Sequence, residues 1–418
     1  MLLFYQVSPA RPVKPVVSKP VNAVKYVRNL FSASFIRMAK TRKLRRKGGG
    51  LLGQGSYGCV FRPALACKGN TRNRPGQISK LMDGVDAIEE LKQRDLFHTI
   101  DPTQKYFLYP FEICDPKLPF NAKNNITKCK VPMKVRKILQ SLDGGESIGA
   151  IKLKPEDYPA FFKSITNLFE GLEKAHAKDV IHNDIKPDNI VVAKTDKGHF
   201  NARFIDFGIS FKWDDLDKIS KNQKTPFARN SKGHSFFDNQ YNYWSIEVSF
   251  ANPHPVNKRK VIHDFYKETI HGEKTIPYRT FYKKVPGSSV EKAVIDEEYL
   301  TWLEDKLDTM TPTEKYKFIF EKDDVYALGR TLSQVFYQRF GQRDEGMSAP
   351  HIIVEHNPLK FTKEEAVRFA EMVAMPCYKL VRGMMSPDIR TRLTMKEAGK
   401  MYDDKVLPAI NRFFKSLD

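Results

Sequence analysis

Four separated stretches of the chain carry side chains suited to chemistry rather than to packing. The densest is "VIHNDIKPDNIVV" at 180–192, which puts His182, Asp184, Lys186, Asp188 and Asn189 close together. A surface loop carries such groups at no cost. This one is gripped by Val180-Ile181 on one side and Ile190-Val191-Val192 on the other, so its polar groups cannot simply turn to water. A polar loop held that rigidly reads as one whose side chains do chemistry. The second stretch is "GQGSYGCV", G-x-G-x-x-G-x-V at Gly53, Gly55, Gly58 and Val60. Glycines at this spacing let backbone N–H groups approach phosphate oxygens without a Cβ in the way. The same spacing marks dinucleotide folds, but there it joins a strand to a helix, whereas here it lies between two strand-like runs. The third is Lys80, closing the buried-looking strand "ISK", where an ammonium needs a carboxylate partner. Glu90 or its neighbour Glu89 can supply one from the next segment. The fourth is Asp206-Phe207-Gly208.

The elements that must hold these residues can be read from periodicity. "LLGQGSYGCVFRPAL" (51–65) reads as a glycine-rich hairpin, and "QISKLM" (77–82) as a short buried strand. Residues 85–100 space Val85, Ile88, Leu91, Leu96 and Ile100 as a helix would. "YFLYPFEI" (106–113) and "RKILQSL" (136–142) read as strands, so the first part is a small sheet with one helix. Residues 158–180 form a long amphipathic helix running into the polar loop, and 190–208 a hairpin. Helical period returns at 291–308, 325–340, 363–381 and 394–415. The polar stretch 211–242 reads as a long exposed loop.

Length and composition bound the rest. A chain of 418 residues, 41% hydrophobic and 28% charged, is ordinary for a soluble enzyme with a sizeable core, and no apolar run approaches a membrane span. Five cysteines, an odd count without CxxC, argue against a disulfide framework or a zinc site and favour a reducing compartment. The net charge of +21 is concentrated at one end: residues 1–82 hold 17 Lys+Arg and no acid, leaving the remainder near neutral. That basic leader, a solvated tail on the plainest reading, is suited to nucleic acid or an acidic surface. An organelle transit peptide at 1–37 is disfavoured by Pro9, Pro12, Pro15 and Pro20, and Met38 offers an alternative start.

Taken in order, these motifs resemble the eukaryotic-type serine/threonine protein kinases. "HNDIKPDN" (182–189) is similar to the catalytic loop H-R-D-x-K-P-x-N, and Asp206-Phe207-Gly208 matches D-F-G. "DDVYALG" (323–329) resembles the start of the D-V-W-S-L-G helix, and "SPDIRTRLT" (386–394) the late segment whose arginine is Arg392. The resemblance covers about 50–405. It implies an α+β, bilobal fold: a small antiparallel β N-lobe with one helix over 49–142, and a mainly α-helical C-lobe over 143–418, after a basic tail at 1–48. It also implies ATP and Mg²⁺ as cofactors and protein Ser/Thr hydroxyls as acceptors, Lys186 marking the Ser/Thr branch. By the same resemblance Gly53, Gly55, Ser56 and Gly58 cover the phosphates, and Lys80, steadied by Glu90, holds the α/β-phosphates. Asn189 and Asp206 ligate the metal, Asp184 orients the acceptor hydroxyl, and Lys186 steadies the γ-phosphate. Leu139 aligns with the gatekeeper and Gln140-Ser141-Leu142 with the hinge, whose backbone bonds adenine while Val60 and Ile78 pack against it.

The chain departs from the pattern in three places. Asn183 replaces the usual arginine, which implies activity independent of activation-loop phosphorylation. Glu247 in "YWSIEVSF" stands for the A-P-E glutamate without its Ala-Pro. About 76 residues separate Glu247 from Asp324, an insertion near 248–323 expected to hold helices packed on the large lobe. The narrower likeness, carried by "ISKLM", Asn183 and Tyr243-Trp244, is to kinases of large nucleocytoplasmic DNA viruses, implying an intracellular setting in host cytoplasm or virion. Two other readings compete: a catalytically weak pseudokinase or scaffold binding partners through the insertion and tail, and a small-molecule phosphotransferase with the same H-x-D-x-x-x-x-N spacing.

Overall fold

The computed structural model describes residues 50–55, 57–69, 76–118, 126–195, 197–212, 243–245, 247–248, 297–340, 359–386 and 388–417, with the backbone of 283–284 and 291–292. The basic tail, Ser56 and most of 211–242 lie outside the described residues.

Strands β1 (Gly50–Gln54), β2 (Gly58–Arg62) and β3 (Gln77–Asp83) are followed at once by helix α1 (Gly84–Ile100). β4 (Glu112–Cys114) and β5 (Arg136–Leu142) complete an antiparallel sheet of order β1-β2-β3-β5-β4. No linker separates β3 from α1, because Asp83 ends the strand and caps the helix. Its carboxylate accepts from Val85 N (3.2 Å) and, from the other side, from Lys134 N (2.7 Å). The expected helix is present but its buried face differs: Ala87, Glu90 and Phe97 are buried, while Val85 and Ile88 face solvent. Of the expected strand 106–113 only the last residues pair. Tyr106 and Leu108 instead make backbone bonds with Phe204 (2.9 and 2.8 Å).

The chain leaves β5 through Asp143-Gly144-Gly145. Both glycines are required by close approach: a Cβ on Gly144 would meet Val191 at 2.3 Å, and one on Gly145 (φ +91°) would meet Val192 O at 2.1 Å. β6 (Glu146–Ser147) then pairs with β8 (Ile190–Lys194), itself paired with β9 (Phe200–Phe204). Helix α2 (Tyr158–His176) leads to β7 (Val180–Ile181), which pairs with β10 (Phe211–Lys212). These are followed by helices α3 (Glu297–Asp308), α4 (Pro312–Phe340), α5 (Lys363–Phe369), α6 (Met375–Met384), α7 (Met395–Met401) and α8 (Leu407–Lys415). Thr362 and Thr394 open α5 and α7 with reciprocal caps to Glu365 and Glu397. Wide π turns join α5 to α6 and α7 to α8, so 363–381 and 394–415 are each nearly continuous helix, as expected.

Two expectations need correction. "DDVYALG" is not the start of its helix: α4 begins at Pro312, and Asp323-Asp324 sit within it. Nor are 291–292 helical, since they pair as strand with 283–284, and 293–296 lie outside the described residues. The main core is aromatic and surrounds α2, whose Phe161, Phe162, Ile165 and Leu168 are fully buried. A second core joins Trp244 and Val248 to Leu300 and Leu303 of α3, Ile319 of α4 and Ile181 of β7. Of the insertion, α3 and the start of α4 pack on this half of the molecule; 249–296 lie outside the described residues apart from 283–284 and 291–292.

The cysteines overturn the expectation drawn from their count. Cys59 bridges Cys129 and Cys67 bridges Cys114, with Cα separations of 5.9 and 5.7 Å; only Cys377 is free, and it is buried. Chain spacing could not reveal this, because the partners lie 70 and 47 residues apart and meet only when the sheet and its covering segment assemble. The reducing-compartment reading loses its basis. Loops this long give a crosslink substantial leverage on the unfolded chain, so Cys129→Ser should lower the unfolding free energy by about 2–4 kcal/mol. Urea unfolding of the variant beside oxidised and reduced wild type checks this; the variant, which keeps the Cys67–Cys114 bridge, should fall between them.

Candidate functional site

The five-stranded sheet and α1 bring three of the sequence-selected residues together. Lys80 Nζ lies 2.6 Å from Glu90 Oε2 and 3.5 Å from Asp206 Oδ1. This settles which glutamate faces the lysine, since Glu89 pairs with Lys92 at the surface (2.9 Å). Burial works against the charge on Lys80. The carboxylates of Asp206 and Glu90 outweigh it and hold the ammonium above the ordinary lysine range. In return, Lys80 keeps the Asp206 carboxyl below the usual range despite burial. Asp206 sits at φ +65°, a left-handed conformation that Asp tolerates better than most residues.

The polar loop between β7 and β8 forms a second set. Lys186 Nζ donates to both oxygens of Asp184 (2.8 Å each), and Asn189 Nδ2 donates to Asp184 Oδ2 (2.7 Å) and Asp184 O (2.8 Å). Burial opposes the charge on Lys186, but Asp184 beside it raises its pKa overall. Asn189 O accepts from Ile205 N (2.9 Å), tying this loop to the residue before Asp206. His182 is fully buried against Phe204 and Phe207, with ring centroids 5.2 and 5.4 Å away. Burial lowers its pKa, and its Nδ1 accepts from Asp184 N (3.3 Å), so a neutral ring serves here as an acceptor.

Sequence reading missed what anchors this loop. Asp324, buried in α4, accepts from His182 N and Asn183 N (3.0 Å each) and lies 3.1 Å from His176 Nε2. Ser210 Oγ donates to His182 O (2.8 Å) and Trp244 Nε1 to Asn183 O (2.9 Å). The signal available was the Asp323-Asp324 pair directly ahead of the apolar Val325-Tyr326-Ala327-Leu328, within the "DDVYALG" motif. Asn183 itself, at φ +63°, turns its amide to Ile209 O (3.3 Å).

The residues expected to face a nucleotide are distributed unevenly. Val60 and Leu139 are the strand partners of Lys80, and Ile78 lies two residues along β3, so alternation puts all four side chains on one face. A Cβ on Gly53 or Gly55 would meet nothing within 4 Å, leaving open room beside their backbone. Gly58 differs: a Cβ there would strike Leu81 O at 2.7 Å, so packing demands that glycine. Gln140 and Leu142 point to the opposite face from Lys80. The Gln140 side-chain amide donates to Leu65 O (3.3 Å) and Cys67 Sγ (3.1 Å), and the Gln140 backbone carbonyl already accepts from Phe111 N (2.9 Å). The structure does not bring their side chains to the Lys80 cluster.

Farther off, Glu247 and Arg392 form a buried ion pair (2.9 Å), and Tyr299 of α3 donates to the same carboxylate (2.7 Å). Burial, then the Glu247 charge, pushes the Tyr299 hydroxyl pKa well up. Removing one partner strands the other, so Arg392→Leu should destabilise the fold by about 3–5 kcal/mol in chemical denaturation.

With this geometry in hand, residues 144–269 match the protein kinase domain family. A probable serine/threonine-protein kinase of Dictyostelium discoideum is 25% identical over 151 residues, 34% of this chain and 21% of that protein. Cyclin-dependent kinase-like 2 of Pongo abelii is 24% identical over 165 residues, 38% of this chain and 29% of its own length. A 46-residue stretch is 44% identical to serine/threonine-protein kinase pkn2 of Myxococcus xanthus. The chain thus spans under a third of the length of these relatives. An antiparallel sheet with one helix, followed by a helical region with the family match, is the two-lobed α+β fold of a protein kinase domain.

Proposed function

We propose that the chain transfers the γ-phosphate of Mg-ATP to Ser or Thr hydroxyls of protein substrates. The observation that carries this reading is the pairing of Lys80 with both Glu90 and Asp206, beside a loop in which Lys186 and Asn189 both hold the Asp184 carboxylate. On this reading Asp184 receives the hydrogen of the acceptor hydroxyl and aims the oxygen. Lys186, fixed by Asp184, meets the charge of the transferred group. Lys80 holds the α/β-phosphates, and the backbone of Gly53, Gly55 and Gly58 lies over them. Adenine would pack against Val60 and Ile78, on the face they share with Lys80, with hinge backbone near Ser141 and Leu142.

The residues fit a hard cation. Asp206 offers a carboxylate kept ionised, and Asn189, whose Nδ2 is engaged with Asp184, has its amide oxygen left to offer. Mg²⁺ bound there would neutralise phosphate charge during transfer. The Lys186-Pro187 pair and the names of the relatives support Ser/Thr acceptors over small molecules.

Two outcomes test this reading. Labelled phosphate from Mg-ATP should reach Ser or Thr of an acceptor protein, and Asp184→Asn should reduce the rate by about 10²–10⁴-fold while the variant stays folded. Near-normal transfer by that variant would remove Asp184 from the role. The second concerns pH. A depressed Asp206 carboxyl stays charged until pH falls below the usual carboxylate range, and a raised Lys80 stays charged beyond the usual lysine range. Loss of Mg-nucleotide affinity through Asp206 or Lys80 should therefore appear only outside about pH 5.5 to 9 in a fluorescent-nucleotide titration. Burial pushes the Glu90 carboxyl up, so any weakening inside the acid end of that window should vanish in Glu90→Gln.

A further inference from the structure

We propose that Trp244 is a positioning residue for the phosphotransfer loop, and that the insertion helices hold it there; this rests on the kinase reading above. The peptide unit joining Asn183 to Asp184 is held at both ends. Its N–H donates to His182 Nδ1 (3.3 Å), a bond within the loop. Its carbonyl accepts from the indole N–H of Trp244 (2.9 Å), a donor from a different part of the chain. Asn183 carries a left-handed φ of +63°, a conformation that non-glycine residues keep only when their surroundings impose it. The indole is therefore a constraint on the carbonyl directly before the Asp184 Cα.

Trp244 cannot move independently. The residue before it is fixed by Tyr243 Oη donating to Gln334 Oε1 (2.8 Å), and the one after it by Ser245 N donating to Asp323 Oδ1 (2.5 Å). Its ring is buried in the core formed with Leu300 and Leu303 of α3 and Ile319 of α4. Tyr299 of α3 also grips Glu247, three residues on. The described part of the insertion is in this way built into the support of the loop.

Losing the indole N–H strands a buried carbonyl, and the peptide must rotate toward another donor, carrying Asp184 with it. Lys80, Glu90 and Asp206 keep their ion pairs without the indole, so the test separates a loss in the transfer step from a loss in nucleotide binding. The test measures kcat, KM for ATP and melting temperature of wild type, Trp244→Phe and a protein with benzothienylalanine at 244, an isostere lacking only the N–H. The acceptor is whichever basic or acidic protein wild type labels best. Expected is a fall in kcat of about 10–100-fold in both variants, with KM for ATP within twofold and the isostere melting as wild type. Unchanged kcat in the isostere overturns the proposal. So does a loss that follows KM for ATP or melting temperature, or an isostere that fails to fold, since the bond then serves stability. Wild type that labels nothing removes the kinase reading itself, and the proposal with it.

Discussion

A carboxylate inside a protein must be given donors, and Asp324 sets the arrangement of this molecule because of how it is given them. The cost of burying it unpaired would be several kcal/mol. It is met by two consecutive backbone N–H groups, His182 and Asn183, with the His176 ring beside them. Those two amides belong to the loop that carries Asp184. The donors that satisfy the buried charge are thus the same groups that fix the loop on which the proposed chemistry rests. The neighbouring Asp323 takes Ser245 N, so one turn of α4 holds both the loop and the segment that leads into the insertion.

The opposite wall follows a different logic. Lys80 stays charged where burial alone would discharge it, because two carboxylates reach it from elements far apart in sequence. One rides on α1, whose start is fixed by the double duty of Asp83, and the other lies beyond β9 at a left-handed backbone position. The ion pairs therefore require that the sheet, α1 and the Asp206 turn be assembled together. A displaced α1 would leave Lys80 with Asp206 alone.

What could be read from the sequence was what short spacing encodes. The glycine pattern, Lys80, the 182–189 loop and Asp206 are each local signatures, and the structure draws Lys80, Glu90 and Asp206 into one cluster and Asp184, Lys186 and Asn189 into another. What could not be read depends on three-dimensional neighbours. Val85 and Ile88 have helical spacing yet face solvent, because the partner of α1 is β5 and the face it needs runs through Ala87 and Glu90. The disulfides join cysteines that no spacing rule connects. Gln140 falls where the motif order places a hinge, but strand alternation turns its side chain to the face covered by Leu65 and Cys67.

The insertion shows the same limit from the other side. By motif spacing it is an extra piece of about 76 residues between Glu247 and Asp324, and spacing alone gives it no part in the site. Its described helices instead supply the apolar bed beneath Trp244 and the hydroxyl that completes the Glu247–Arg392 pair. A buried ion pair leaves lone pairs to satisfy, and here a second donor, the Tyr299 hydroxyl, comes from α3. Where the Ala-Pro of the usual motif is missing, the segment 243–248 is held by side-chain bonds to α3 and α4. The extra length and the missing dipeptide are therefore two parts of one structural solution.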